Sequence, residues 1–434
     1  MERRSDRLRA RGPVGVLPAL LALAAVTLHA APLGGLSAAD RMGAYLMLDG
    51  VRAAIEADYY DPSFGGHDLK ALANAAGERI ARAGTDTEAM AAIAQFELAL
   101  DDRHTTFSPP GQRLSADYGW KMGLVGEHCY VIAIDPDSDA AHQGVAIGDQ
   151  VITVEGITPA RADLWRLEYH LNELQPLPAL HVQLLSSSGQ VRMLELAAKL
   201  RARRAAAATG EAPSLRIRPA AVRRMPDLLL LRMPSFPPTA AEMRGQLFDM
   251  HDRAALILDL RGNGGRADTA LNELLGELYG DDFVMATRRS RGGSSPWTIT
   301  GAGRNAYTGS VLVLVDAQSA AAAELFARTL QLTDRGTVIG DRTAGAVMEA
   351  TLASLGSVRG ERDLAGATSV SIAEIVMPDG GRLEKTGVTP DFIVLPSAAD
   401  MAAGRDPALA QALALVGHAL DAAAAGRLYA AASR

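Results

Sequence analysis

The sequence predicts a multidomain α/β chain of α+β order, with helices first, a β-rich module in the middle and an alternating α/β core last. Three observations carry that reading. Residues 39–108 keep helical spacing, residues 116–200 break into short β-type runs, and from Leu228 onward continuous apolar strands alternate with helices. Apolar residues at 48% and charged residues at 21% fit a globular chain of several domains over 434 residues, not a disordered one. The net charge of −7 points away from a nucleic-acid partner. The single cysteine, Cys129, excludes an intramolecular disulfide, so a stable fold has to come from core packing.

Residues 1–38 read as an export signal. Arg3, Arg4, Arg7, Arg9 and Arg11 make a basic start, Val14 to Leu28 is an apolar run, and small residues follow at Ala30, Ala31 and Ala38. Pro18 and His29 weigh against the ~20 apolar residues that a membrane span needs. The expectation is a periplasmic or secreted protein with no stable span after cleavage. The alternative is an uncleaved N-terminal membrane anchor.

Residues 39–112 form the expected helical region. Tyr45, Leu48, Arg52, Ile55 and Tyr59 share one face of a first helix, and a second runs near Leu69–Ala83. A third carries Ala89, Ile93, Phe96 and Leu100 and ends in the polar turn Asp101–Thr106. The module at 116–200 has strands near Cys129–Ile134, Gln150–Val154, Leu180–Leu185 and Val191–Leu196, with one helix around Arg161–Leu174. Residues 201–226, rich in Ala and Arg, read as a solvated linker. The core at 227–398 has buried strands at Leu228–Met233, Leu256–Leu260, Val311–Val315 and Thr337–Ile339, and helices at Ala267–Leu278 and Ala320–Leu332. Asp406-Pro407 opens a terminal helix within 399–434.

Two loops are equipped for chemistry. The turn after the second core strand, Asp259-Leu260-Arg261-Gly262-Asn263-Gly264-Gly265, lets the backbone turn sharply and aim N–H groups into a crevice. Such a loop suits an oxyanion hole at Gly264 and Gly265, or a pyrophosphate, since Gly262-x-Gly264-x-x-Ala267 fits a loose dinucleotide fingerprint. A dinucleotide domain wants an acid ending the next strand, and Asp281 and Asp282 precede the next apolar stretch instead. No cofactor is therefore expected. No metal is expected either, because the nine histidines show no H-x-x-E-H or H-E-x-x-H spacing.

The β-rich module holds Lys121-Met122-Gly123-Leu124-Val125, then Ser138-Asp139-Ala140, then Gly144-Val145-Ala146-Ile147-Gly148-Asp149-Gln150-Val151. It resembles a PDZ domain, which implies peptide binding along Met122, Gly123, Leu124 and Val125 by strand addition. The larger set runs in order: Leu100–Thr105, the 259–265 loop, Ser319–Glu324, Thr343–Ala346 and Gly387–Asp391. It resembles the tail-specific, or C-terminal processing, serine peptidase family. That resemblance implies an α/β core of the ClpP/crotonase-like type and a polypeptide partner, either C-termini or unfolded segments.

It also implies site positions. The nucleophile position is Ala321, three before Glu324, and the lysine-base position is Ala346. A second branch of the family takes its base from the position that is His104 here. Ser319 is a candidate substitute nucleophile, or simply a helix cap. Two functions follow: a serine endopeptidase using His104 and Ser319, or a catalytically inactive peptide-binding scaffold or regulator of a protease.

Overall fold

The computed structural model describes residues 35–110, 114–202, 221–265, 268–357 and 365–429. Residues 1–34 of the export-signal reading and the middle of the expected linker lie outside the described residues. Among the described residues, no helix is long and apolar enough to cross a membrane.

The N-terminal helices are α1 (Ala38–Asp58), α2 (Leu69–Arg82) and α3 (Asp86–Leu98). Ser37, Asp68 and Thr85 cap them by accepting backbone N–H groups at the third helical residue. Their apolar faces pack into one core around Val51, Ile55, Ile80, Ile93 and Phe96, closed from outside by Phe107 and Val370. Those two residues belong to β1 (Thr106–Ser108) and to a long core strand, so the helical region rests on a sheet.

The module begins with β2 (Leu114–Asp117) and continues with β3 (Trp120–Val125), β4 (His128–Ile134), the short α4 (Asp139–His142), β5 (Gln150–Val154), α5 (Leu164–Tyr169), β6 (Ala179–Leu185), β7 (Val191–Ala197) and β8 (Lys199–Ala202). Helix α5 runs on into a π-type turn, His170–Leu174. Strands β3 to β7 form an antiparallel sheet in sequence order, with β3 at one edge. Strands β2 and β8 pair separately.

The core sheet has the order β18-β15-β14-β11-β10-β9, built from β9 (Ala221–Arg224), β10 (Leu228–Arg232), β11 (Ala255–Asp259), β14 (Ser310–Val315), β15 (Thr337–Gly340) and β18 (Phe392–Ile393). It is parallel except for β9, which runs antiparallel to β10. Alternate residues face two different cores. Leu229, Leu231, Leu256, Leu258 and Val313 meet α6 (Ala240–Leu247), α7 (Asp268–Gly276) and α8 (Ala322–Leu332). Leu228, Leu230, Ile257, Leu312 and Leu314 meet the C-terminal helices. Covering on both faces explains why these strands read as unbroken apolar runs.

A second sheet, β1-β17-β12-β13 with β16 on β17, is made by β12 (Phe283–Ser290), β13 (Gly293–Ile299), β16 (Glu349–Ser357) and β17 (Ala365–Val376).

Two expectations differ from the structure. The ends of the 201–226 stretch are strand, not linker: Arg201 and Ala202 close β8, and Ala221–Arg224 is β9. The terminal segment is three short helices, α9 (Ala398–Ala402), α10 (Pro407–Leu415) and α11 (Ala422–Arg427), not one. Gly404 and Gly417, both at positive φ, separate them.

Candidate active site

The candidate site lies beyond the carboxyl ends of the parallel strands, where an open α/β sheet offers a crevice. Strand β11 ends at Asp259 and feeds the glycine loop. Strand β14 ends at Val315 and feeds the turn Asp316–Ala321. Strand β15 ends at Gly340 and feeds the loop 341–348.

The turn after β14 is a strained strand-to-helix elbow. Ala321 has φ 48° and ψ −113°, a conformation that costs an L-residue about 1–3 kcal/mol. It is partly exposed. The elbow is held from below. Gly265, at φ 69°, lies so close that a Cβ there would sit 2.0 Å from the Ala320 carbonyl oxygen. The N–H groups of Ala320 and Ala321 are taken by the carbonyls of Asn263 (2.8 Å) and Ala346 (2.9 Å).

Glu324 organises the other side. Its fully buried carboxylate accepts the Thr343 hydroxyl (2.5 Å) and the N–H groups of Gly345 (2.7 Å), Ala346 (2.8 Å) and Ala321 (3.2 Å). Burial raises its pKa, and these donors offset part of the rise. The lysine position, Ala346, is thus a buried residue whose N–H serves the loop.

Ser319 has no exposed surface. Its hydroxyl donates to the Leu260 carbonyl (2.9 Å) or the Asp316 carboxylate (3.1 Å) and accepts the Asp316 N–H (3.0 Å). It is therefore a tie inside the turn and presents no oxygen to a substrate. Nor does it cap α8, whose N-cap position is Ala321.

The glycine loop is also closed in on itself. Gly262 N–H goes to Asp316 (2.9 Å), Gly265 N–H to the Asn263 side chain (2.8 Å), and Ala322 N–H to the Gly265 carbonyl (3.2 Å). An oxyanion hole at an elbow draws on the N–H that follows the nucleophile, which here is Ala322. Two of the donors such a hole needs are spent. Gly264 is exposed at the loop's tip.

His104 comes to the same cleft from the other side. The N–H of His104 (2.9 Å) and the hydroxyl of Thr105 (2.9 Å) bind the Asp102 carboxylate, and the Thr105 hydroxyl accepts the Ser371 N–H (3.1 Å). Next to it, Arg103 donates to the Ala344 carbonyl (3.2 Å). The His104 Nε2 lies 3.4 Å from Glu384 Oε2 and has no hydrogen-bond partner. That same Glu384 oxygen accepts the N–H of Val347 (2.8 Å), one residue after Ala346. Lys385 fixes the approach by binding Asp101 (2.6 Å) and donating its N–H to Gly345 (2.8 Å).

A chain of contacts therefore links the elbow to His104: Ala321 N–H to the Ala346 carbonyl, Val347 N–H to Glu384, and Glu384 to His104. Sequence reasoning missed Glu384. Nothing local marks it, because it sits between Leu383 and Lys385 in a loop, 280 positions beyond His104. Among the described residues, no group of three His, Cys, Asp or Glu is placed to hold a metal ion.

Strand β3 of the module flanks the cleft. A Cβ on Gly123 would lie 2.8 Å from the Gln318 side-chain nitrogen, and Gly126 N–H donates to Asp341 (2.8 Å). Arg161 completes the joint through the carbonyls of Gly126 (2.6 Å) and Arg342 (3.1 Å).

Residues 227–394 match the model of peptidase family S41. The chain is 25% identical over 361 residues to the chloroplastic C-terminal processing peptidase of Tetradesmus obliquus, covering 78% of this chain and 74% of that one. It is 28% identical over 165 residues to the chloroplastic carboxyl-terminal-processing peptidase 3 of Arabidopsis thaliana, covering 37% and 30% respectively. The fold is similar to that of the photosystem II D1 C-terminal processing protease, with a TM-score of 0.54 at 20% identity over 81% of this chain and 93% of that one. It is similar too to mature CPAF complexed with lactacystin, with a TM-score of 0.65 at 15% identity over 90% and 99%. The elbow and the glycine loop thus lie within residues 227–394, the stretch that matches peptidase family S41, and the chain as a whole is similar to C-terminal processing peptidases.

Proposed function

We propose that this chain is an exported, peptidase-like protein that binds extended polypeptide segments in the cleft and does not cleave them by covalent catalysis. The observation that carries the reading is Ala321 at the elbow. The backbone there keeps the strain that lifts a nucleophile into a cleft, while the side chain is a methyl group that cannot attack a carbonyl. Export rests on the basic and apolar start of residues 1–38. Polypeptide as the ligand rests on the family and on the module's edge strand, which is read as a PDZ-type peptide platform.

The rival is a serine endopeptidase that uses His104 and Ser319. The buried, hydrogen-bonded hydroxyl of Ser319 weighs against it.

The mature protein, incubated with unfolded casein and a fluorophosphonate probe, separates the two. The expected result is no turnover and no labelling in wild type. Both should appear in Ala321→Ser, at least about 10²-fold above background, because a restored nucleophile regains part of what its loss removes. Wild-type turnover that vanishes in a folded Ser319→Ala would overturn the proposal.

A further inference from the structure

The edge of the core sheet carries an apolar shelf beside the module. Phe392 (43% exposed) and Ile393 (64%) form the edge strand β18, and Leu395 (40%) follows. Among the described residues, β18 pairs only with β15. The ladder runs on to Val394, whose N–H donates to the Gly340 carbonyl (2.9 Å). Ile393 and Leu395 therefore alternate onto one side, while Val394 packs on the other, against the core shared with the C-terminal helices. A contiguous exposed apolar run of this kind marks a surface that something covers.

The shelf begins where β3 ends. Among the described residues, β3 pairs only with β4, so its outer edge is open to an added strand as far as Val125. The next residue, Gly126, is pressed on Leu395, whose Cδ1 would lie 3.1 Å from a Cβ there. Gly126 N–H donates to Asp341 (2.8 Å), in the loop that β15 feeds, and Gly340 at the end of β15 is the register partner of Ile393. The surround is polar: Arg342 binds Glu127 (2.9 Å) and Arg161 binds Asp341 (3.2 Å). A strand laid on β3 and continued past Val125 thus leaves the module onto Ile393 and Leu395.

Strand addition draws its affinity from main-chain bonds and its specificity from the surfaces that receive alternate side chains. An apolar shelf receives apolar side chains. It is too small to hold a second copy of the chain, because a stable interface takes ~20–30 residues a side. It is large enough to anchor a few residues of an extended segment.

We infer that Ile393 and Leu395 are specificity-determining residues of the polypeptide site: they favour segments that carry apolar side chains next to the stretch paired with β3. This inference rests on the peptide-binding reading above.

Fluorescence anisotropy with labelled peptides tiled along casein tests this on the full-length mature chain. Each peptide is made in two forms, one of them with its apolar side chains changed to serine. The native forms should bind at least about 10-fold tighter, about 1.4 kcal/mol, as covering one or two aliphatic side chains implies. Ile393→Asp should remove that advantage and leave the serine forms unchanged. Met193→Asp is the control, because Met193 is an 84%-exposed apolar residue on β7, at the module's far edge, and it should alter neither set. Ile393→Thr keeps the β-branch of the strand and should cut the advantage by about 3-fold, which serves if aspartate unfolds β18. Equal affinity of the two peptide forms in wild type would overturn the inference. So would an advantage that persists in a folded Ile393→Asp, or one lost equally in Met193→Asp. A wild type that sediments as a dimer, with Ile393→Asp a monomer, would give the shelf to a second copy and overturn it too. Binding of neither peptide form would instead overturn the peptide-binding reading beneath it.

Discussion

The elbow and the His104 side of the site are equipped differently. On the elbow wall, the strained φ of Ala321, Gly265 beneath it and Glu324 beside it shape the turn, and the side chain it carries is a methyl group. On the opposite side two titratable side chains face each other, with His104 3.4 Å from Glu384 and both partly shielded from water. The elbow's geometry does not depend on a nucleophilic side chain at position 321. It is fixed by a glycine contact, a buried carboxylate and a web of backbone bonds. A methyl group at position 321 leaves all of these untouched.

The largest expected effect breaks the elbow wall directly. Gly265→Ala puts a Cβ against the Ala320 carbonyl oxygen at 2.0 Å and forces an alanine to φ 69°. Overpacking and backbone strain together should cost about 3–5 kcal/mol. A melting curve should fall by roughly 3–6 °C for a chain of this size. A loss of less than about 1 kcal/mol, within the ordinary range for a point mutation, would show that the loop shifts freely and that the elbow is not held from below.

The next effect sharpens the other wall. In the Ala321→Ser background, Glu384→Gln removes the charge facing His104 Nε2 while keeping an oxygen for the Val347 and Met348 N–H groups. If the pair works as a base and its orienting acid, kcat should fall by about 10²–10⁴-fold, as when a triad acid is neutralised. The KM and the melting temperature should hardly move. Equal activity in both proteins would mean that His104 is only a neighbour of Glu384.

The core and the position of the elbow were legible in the sequence because each had a local cause. Leu228–Leu231 and Val311–Val315 read as doubly covered strands, and they are covered on both faces. The glycine loop announced itself by composition. What stayed hidden depended on contacts between distant segments. Glu384 lies beside His104 while its neighbour Lys385 binds Asp101 and Gly345 across the fold. The hydroxyl of Ser319 suits a cap or a nucleophile equally well on paper. Its burial against the Leu260 carbonyl, 59 positions away in sequence, is what decides. The strands at 199–202 and 221–224 sit in an Ala/Arg-rich stretch with no β alternation, and their partners β2 and β10 supply the pairing that their own residues do not signal.

The smallest effect concerns what lies under the His104 wall. Glu97, on α3, is fully buried, with one carboxyl oxygen held by the Thr368 hydroxyl and the other without a partner. Burial above all, with the nearby Asp102 charge adding to it and the Thr368 bond opposing it, pushes its pKa from the usual 4.5 up to about 8. Asp102 is the acceptor that sets the His104 backbone, so two acids share the space below the base and Glu97 stays protonated at neutral pH. A carboxyl with a folded pKa above its unfolded one gives its full stability below the unfolded value and loses it as pH rises through the folded value. Stability should therefore decline between pH 4.5 and about 8. Glu168, pushed up to about 7 by burial, adds a slope of the same sign over part of that window. Glu97→Gln keeps an acceptor for Thr368 and cannot ionise. It should match wild type near about pH 4.5 and exceed it by about 1 kcal/mol or more near about pH 9, read as a melting difference that grows with pH. A constant difference across the range would mean that Glu97 is charged in the fold, and that the His104 wall rests on two carboxylates instead of one.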